Sequence, residues 1–164
     1  RTFRTRVRSV KWVLRRRSVV DSARADCEDR RDQRPVSHIL IVEDDRDIAE
    51  GIRFNLALDG HEVHVIGDGA AALARLREER DQFDAVVLDI MLPGSDGWNL
   101  LREIRADRSC ANTKVLMLSV LDERKRAFKD GADGFILKPL DRDHLLQVID
   151  EVVGAEDTPV QKAS

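Results

Sequence analysis

Long hydrophobic runs are missing from this chain of 164 residues. None approaches the roughly 18 apolar residues that a membrane helix needs. Near the N-terminus the longest apolar run is Trp12-Val13-Leu14, too short for a signal peptide. Cysteine is scarce. Cys27 and Cys110 are too few for a disulfide framework, and they lack the spacing of a metal site. No internal repeat or low-complexity tract interrupts the chain. These absences point to a soluble protein of a reducing cytoplasm. The apolar share, 42% of residues, suffices for one domain with a proper core and hardly for two.

Acidic residues are also missing from the first 20 positions, which hold eight basic ones. Residues 1–34 carry 12 Lys/Arg against 5 Asp/Glu, whereas residues 35–164 carry 16 against 26. The near-neutral total of −3 hides two unlike segments. Phe3, Val7, Val10 and Leu14 fall at helical spacing among arginines, a pattern suited to weak contact with an anionic membrane or nucleic-acid phosphates. A single short helix does not hold itself together in water. Residues 1–36 are therefore expected to form a basic, disordered extension, and residues 154–164 a polar tail.

Between them the pattern is regular. Apolar runs of strand length occur at 38–42, 83–89, 114–120 and 134–138, and residues 61–68 alternate as a strand does. Helical patterns follow at 47–60, 69–81, 97–107, 122–133 and 141–153. Five apolar strands alternating with five amphipathic helices predict a parallel sheet covered on both faces. Ligands of such doubly wound sheets bind outside the carboxyl ends of the strands. Those ends carry Glu43 and Asp44 after the first strand, Asp89 after the third, Ser119 after the fourth and Lys138 after the fifth.

Three clustered carboxylates repel one another unless a cation joins them. Mg²⁺ suits such an open acidic pocket, because it takes a few carboxylates, keeps several waters and accepts phosphate oxygens. Lys138 adds a compact positive charge, and Ser119 a hydroxyl donor. An aspartate beside Mg²⁺ and a lysine is set up to attack phosphorus and become an aspartyl phosphate.

At these positions the chain resembles the receiver domain of bacterial two-component response regulators, over about residues 37–153. The motifs are "ILIVEDD", "LDIMLPGSDGW", "LMLS" and "FILKP". The resemblance implies a flavodoxin-like sheet of strand order 2-1-3-4-5, flanked by five helices. It implies that Asp89 accepts a phosphoryl group from a sensor histidine kinase or phosphotransfer protein. Asp44 and Asp89 would bind Mg²⁺ by side chain, Met91 by its backbone carbonyl and Glu43 mainly through water. Ser119 and Lys138 would hold phosphoryl oxygens, Phe135 would turn with Ser119, and the Lys138-Pro139 peptide would be cis. Trp98 reads as helix packing, and the four histidines as surface or edge residues.

Several positions depart from the family pattern. Ser119 to Lys138 is about three residues shorter than in most receivers, which predicts a fourth helix shorter by about a turn. Val120 stands where a smaller residue is usual, and Phe135 where tyrosine is commoner. No DNA-binding domain is expected after the last helix, which implies a stand-alone receiver or a piece of a longer regulator, acting on an unknown downstream protein. Two other readings are a receiver-fold adaptor that does not use phosphate and a small-molecule phosphohydrolase. The five intact site residues oppose the first. Met91, standing where such hydrolases carry an acid, opposes the second.

Overall fold

The computed structural model of the chain describes residues 36–79 and 82–154. The basic extension up to Pro35 and the tail beyond Gly154 lie outside the described residues.

Ten main elements alternate: β1 (His38–Val42), α1 (Arg46–Leu58), β2 (Glu62–Ile66), α2 (Gly69–Glu78), β3 (Ala85–Asp89), α3 (Gly97–Ala106), β4 (Lys114–Ser119), α4 (Arg124–Lys129), β5 (Gly134–Leu137) and α5 (Arg142–Gly154). The five strands form one parallel sheet in the order β2-β1-β3-β4-β5. The register pairs Leu40 with Val86, Leu88 with Met117 and Ser119 with Leu137. A continuous apolar strand here serves two cores at once, because successive side chains point to opposite faces. Leu40, Val42, Val86, Leu88, Val115, Met117 and Phe135 pack with Leu73 and Leu76 of α2, Leu101 and Ile104 of α3 and Ala127 of α4. Ile39, Ile41, Val87, Leu116, Leu118 and Ile136 pack with Ile52 and Leu56 of α1 and Leu145 and Ile149 of α5.

Four helices start on aspartates that satisfy free backbone N–H groups, α5 among them, where Asp141 accepts from the Asp143 N–H at 3.1 Å. Asp45 accepts from Asp47 and Ile48, Asp68 from Ala71, and Asp96 from Trp98. The expected strand and helix positions hold to within about two residues at most ends. The fourth helix is short, as the spacing from Ser119 to Lys138 predicts, but it ends earlier than its helical pattern. Expected over 122–133, α4 covers only Arg124–Lys129, without a side-chain cap at Glu123 and with Ala127 alone buried. It stops before Gly131, whose φ of 100° is a left-handed conformation that favours glycine. A short antiparallel ribbon, Met91–Leu92 with Ser95–Asp96, was not anticipated. It carries the chain from the end of β3 into α3.

Candidate functional site

Because all five strands are parallel, their carboxyl ends share one edge. Glu43 follows β1, Asp89 ends β3, Ser119 ends β4 and Lys138 follows β5. Glu43, Asp89 and Ser119 are the polar residues buried there, at 2%, 5% and 4% exposure. Asp44 is exposed. Burying acids is costly unless they are paired and hydrogen-bonded, and here they are. The Lys138 Nζ donates to Glu43 Oε2 and to Asp89 Oδ2, both at 2.7 Å. The remaining oxygens accept from the backbone: Asp89 Oδ1 from the Met91 N–H at 3.1 Å, and Glu43 Oε1 from the Asp45 N–H at 3.2 Å.

The electrostatics follow from that geometry. Burial pushes the Glu43 carboxyl above its ordinary pKa and the neighbouring Asp89 charge adds to this, while the Lys138 hydrogen bond opposes both. Burial works against the Lys138 ammonium, but its hydrogen bonds to Asp89 and Glu43 outweigh that, and its pKa is raised. One lysine faces three acids, so negative charge remains in excess. Carboxylate oxygens of Glu43, Asp44 and Asp89 lie within 4.8 Å of one another. A cluster of hard oxygen donors, partly open to water through Asp44, fits Mg²⁺.

Ser119 accepts from the Leu121 N–H at 3.0 Å, which leaves its hydroxyl proton available for donation. The Lys138 N–H donates to the Ser119 carbonyl at 2.7 Å, tying the ends of β4 and β5 together. The Lys138-Pro139 peptide is cis. Phe135 is buried against the α2–α4 face, with the Arg124 guanidinium 5.8 Å from its ring centre. Met91 turns its side chain outward at 69% exposure. Asp45, third in the acidic run, caps α1 instead of entering the cluster.

The response regulator receiver domain model matches residues 39–150. The chain belongs to the response regulator receiver domain family. Among curated relatives, the sensory transduction protein RegX3 of Mycolicibacterium smegmatis is 35% identical over 121 residues, covering 72% of this chain and 51% of RegX3. The chain thus spans about half the length of that relative. The chemotaxis response regulator CheY4 of Vibrio cholerae superposes with a TM-score of 0.66 at 26% identity, covering 72% of this chain and 99% of CheY4. The receiver domain of a sensor histidine kinase from Pseudomonas aeruginosa gives a TM-score of 0.66 at 27% identity, over 74% of this chain and all of that domain. That structure has a magnesium ion coordinated in its active site cleft. The receiver is the module of phosphorylation-dependent two-component signalling.

Some features of this receiver were not legible beforehand. Arg105 donates to the carbonyls of Gly131, Ala111 and Thr113 and pairs with Asp133, joining α3 to the segments on either side of β4. His61, expected among the surface or edge residues, directly precedes the edge strand β2, and its side chain is only 5% exposed. Among the described residues, no helix is long and apolar enough to cross a membrane.

Proposed function

We propose that Asp89 is the phosphoacceptor of this receiver and that it takes its phosphoryl group from a phosphohistidine of a sensor kinase or phosphotransfer protein. The supporting observation is the buried arrangement of Glu43, Asp89 and Lys138, with one ammonium 2.7 Å from both carboxylates. An Asp89 oxygen forms the new bond to phosphorus as the phosphorus–nitrogen bond of the donor breaks, its electron pair leaving with the imidazole. Glu43, Asp44, Asp89 and the Met91 carbonyl would hold Mg²⁺, which offsets the charge of the phosphoryl oxygens. Lys138 moves from bridging two carboxylates to holding a phosphoryl oxygen. The Ser119 hydroxyl donates to another, and Phe135 follows Ser119.

In this reading the domain catalyses only its own phosphorylation and dephosphorylation. It works in the cytoplasm, and its output is contact with a downstream protein. Met91 offers no group able to transfer a proton, so turnover of small phosphate esters has no support. Incubation with acetyl phosphate and Mg²⁺, read by intact mass, tests the assignment. One phosphoryl group should be added to the wild type and none to Asp89→Asn. Equal labelling of Asp89→Asn would overturn it.

A further inference from the structure

Two arginines tie α3 to the neighbourhood of α4, one at each end. At the far end Arg105 donates to the carbonyls of Ala111, Thr113 and Gly131 at 3.0, 2.8 and 2.7 Å, and it pairs with Asp133 at 2.6 Å. At the near end the Arg126 guanidinium lies 4.0 Å from the centre of the Trp98 ring. Glu123 at 3.2 Å and Asp130 at 3.8 Å, the residues just before and just after that short helix, flank the guanidinium. The first link is a clamp built largely on backbone carbonyls. The second depends on one aromatic face. The helix α4 has six residues, buries only Ala127 and places Arg124 over the Phe135 ring at 5.8 Å.

Trp98 is in turn joined to the acceptor through the backbone. Gly97, just before it, sits so close to the end of β3 that an added Cβ would lie 2.4 Å from the Asp89 carbonyl and 2.7 Å from the Ile90 Cα. The Gly97 N–H donates to the Ile90 carbonyl at 3.0 Å. Any shift of the Asp89 backbone is therefore passed to the first turn of α3. There Asp96 holds the Trp98 N–H at 3.0 Å, and the Trp98 side chain is buried at 4% exposure.

We propose that the Arg126–Trp98 stack is a coupling contact through which loading of Asp89 repositions α4, in addition to the contact that Arg124 of the same helix makes with Phe135. It rests on the reading of Asp89 as phosphoacceptor. Arg126 is a positioning residue, since it lies on α4 and touches Trp98, not the reacting atoms. Held at Gly131 by Arg105 and shifted at its Trp98 end, α4 pivots and carries the half-exposed Phe128 with it. A contact couples two states only as far as its strength differs between them. For an exposed cation–π pair that difference is limited to a factor of roughly 2 to 5.

The full chain, loaded with beryllofluoride and Mg²⁺ as a stable phosphoryl mimic, provides the test. Amide exchange over residues 124–129 is compared with the unloaded protein for wild type, Arg126→Ala and Arg126→Lys. Trp98 emission is followed in a Trp12→Phe background, which leaves one tryptophan in a chain without tyrosine. Loading should change both signals in the wild type. Arg126→Ala should shrink the α4 response roughly two- to fivefold, and Arg126→Lys should keep most of it because an ammonium can still sit over the ring. Intact mass after acetyl phosphate should show the same phosphoryl uptake in all three. An undiminished α4 response in Arg126→Ala, with uptake intact, overturns this proposal alone. A wild type that takes up no phosphoryl group overturns the reading of Asp89 as well.

Discussion

Asp89 shows how much a single residue can disclose. A carboxylate ending an apolar strand is expensive, and the sequence places two acids and a lysine where parallel strands would bring them beside it. What could not be read was the division of labour among the oxygens. Sequence does not say that Lys138 spans Glu43 and Asp89 together, nor that Asp45 spends its carboxylate on α1. The flanking side chains carry the first prediction. Met91, Val120 and Leu121 are exposed at 69%, 59% and 64%, and none can orient a water by a strong hydrogen bond. Each polar contact absent from the hydrolytic transition state costs on the order of 1 kcal/mol, roughly fivefold in rate. The phosphorylated form should therefore last for minutes to hours. Introducing Met91→Asn and Leu121→Glu together should speed its decay at least tenfold, by order of magnitude, and an unchanged half-life in Mg²⁺ buffer would refute this.

Asp107, far from the acceptor in sequence, sets a pH dependence. Hydrogen bonds from the Ser109 side chain and backbone, then from Arg77, lower its pKa from 3.8 to about 2. A carboxyl with a depressed folded pKa adds stability that is complete above its unfolded pKa and disappears as pH falls through its folded one. Its contribution should thus fade from about pH 4 to about pH 2. Urea denaturation of Asp107→Asn should give a flatter stability curve than wild type across that window. Parallel curves would show that the pairing contributes nothing. Glu43 has the opposite sign. Its raised pKa works against stability as pH rises past the ordinary carboxylate range.

At the scale of elements, legibility followed the strength of the local pattern. Four strands could be read because each is a continuous apolar run, β2 because it alternates, and α1 because Ile48, Ile52 and Leu56 share one face ending near Gly60, of which Ile52 and Leu56 are buried together with Ala49. The fourth helix could not be bounded, since Ala127 is its only buried position and its charged residues suit a loop as well as a helix. The link from β3 to α3 was equally obscure. Its tightness depends on Gly97 lying against the Asp89 and Ile90 backbone, a contact between chain segments that no local pattern announces. There the neighbour is backbone and cannot turn aside. Gly97→Ala should cost about 1–3 kcal/mol, as overpacking generally does, and should also slow phosphoryl uptake by displacing Asp89. Denaturant titration together with intact-mass labelling checks both. A variant as stable and as reactive as wild type would mean the loop relaxes freely.

For the whole molecule, the decisive fact is that all strands run the same way. Residues spread from position 43 to position 138 meet because each stands at the carboxyl end of a strand. The two covered faces and the edge that holds the site were accessible from alternation and periodicity, whereas the order of strands came only from the resemblance to receiver domains. The arginine links of Arg105 and Arg126 were not, because they join elements whose approach only the folded chain defines. The central claim is chemical: one acyl phosphate, formed at Asp89 and nowhere else. Borohydride reduces an acyl phosphate to an alcohol and leaves a free carboxylate untouched, so the acceptor can be located directly. After treatment with phosphodonor, Mg²⁺ and borohydride, peptide sequencing should find homoserine at position 89, dependent on Mg²⁺. Unmodified Asp89, or homoserine at Asp44 instead, would contradict the account.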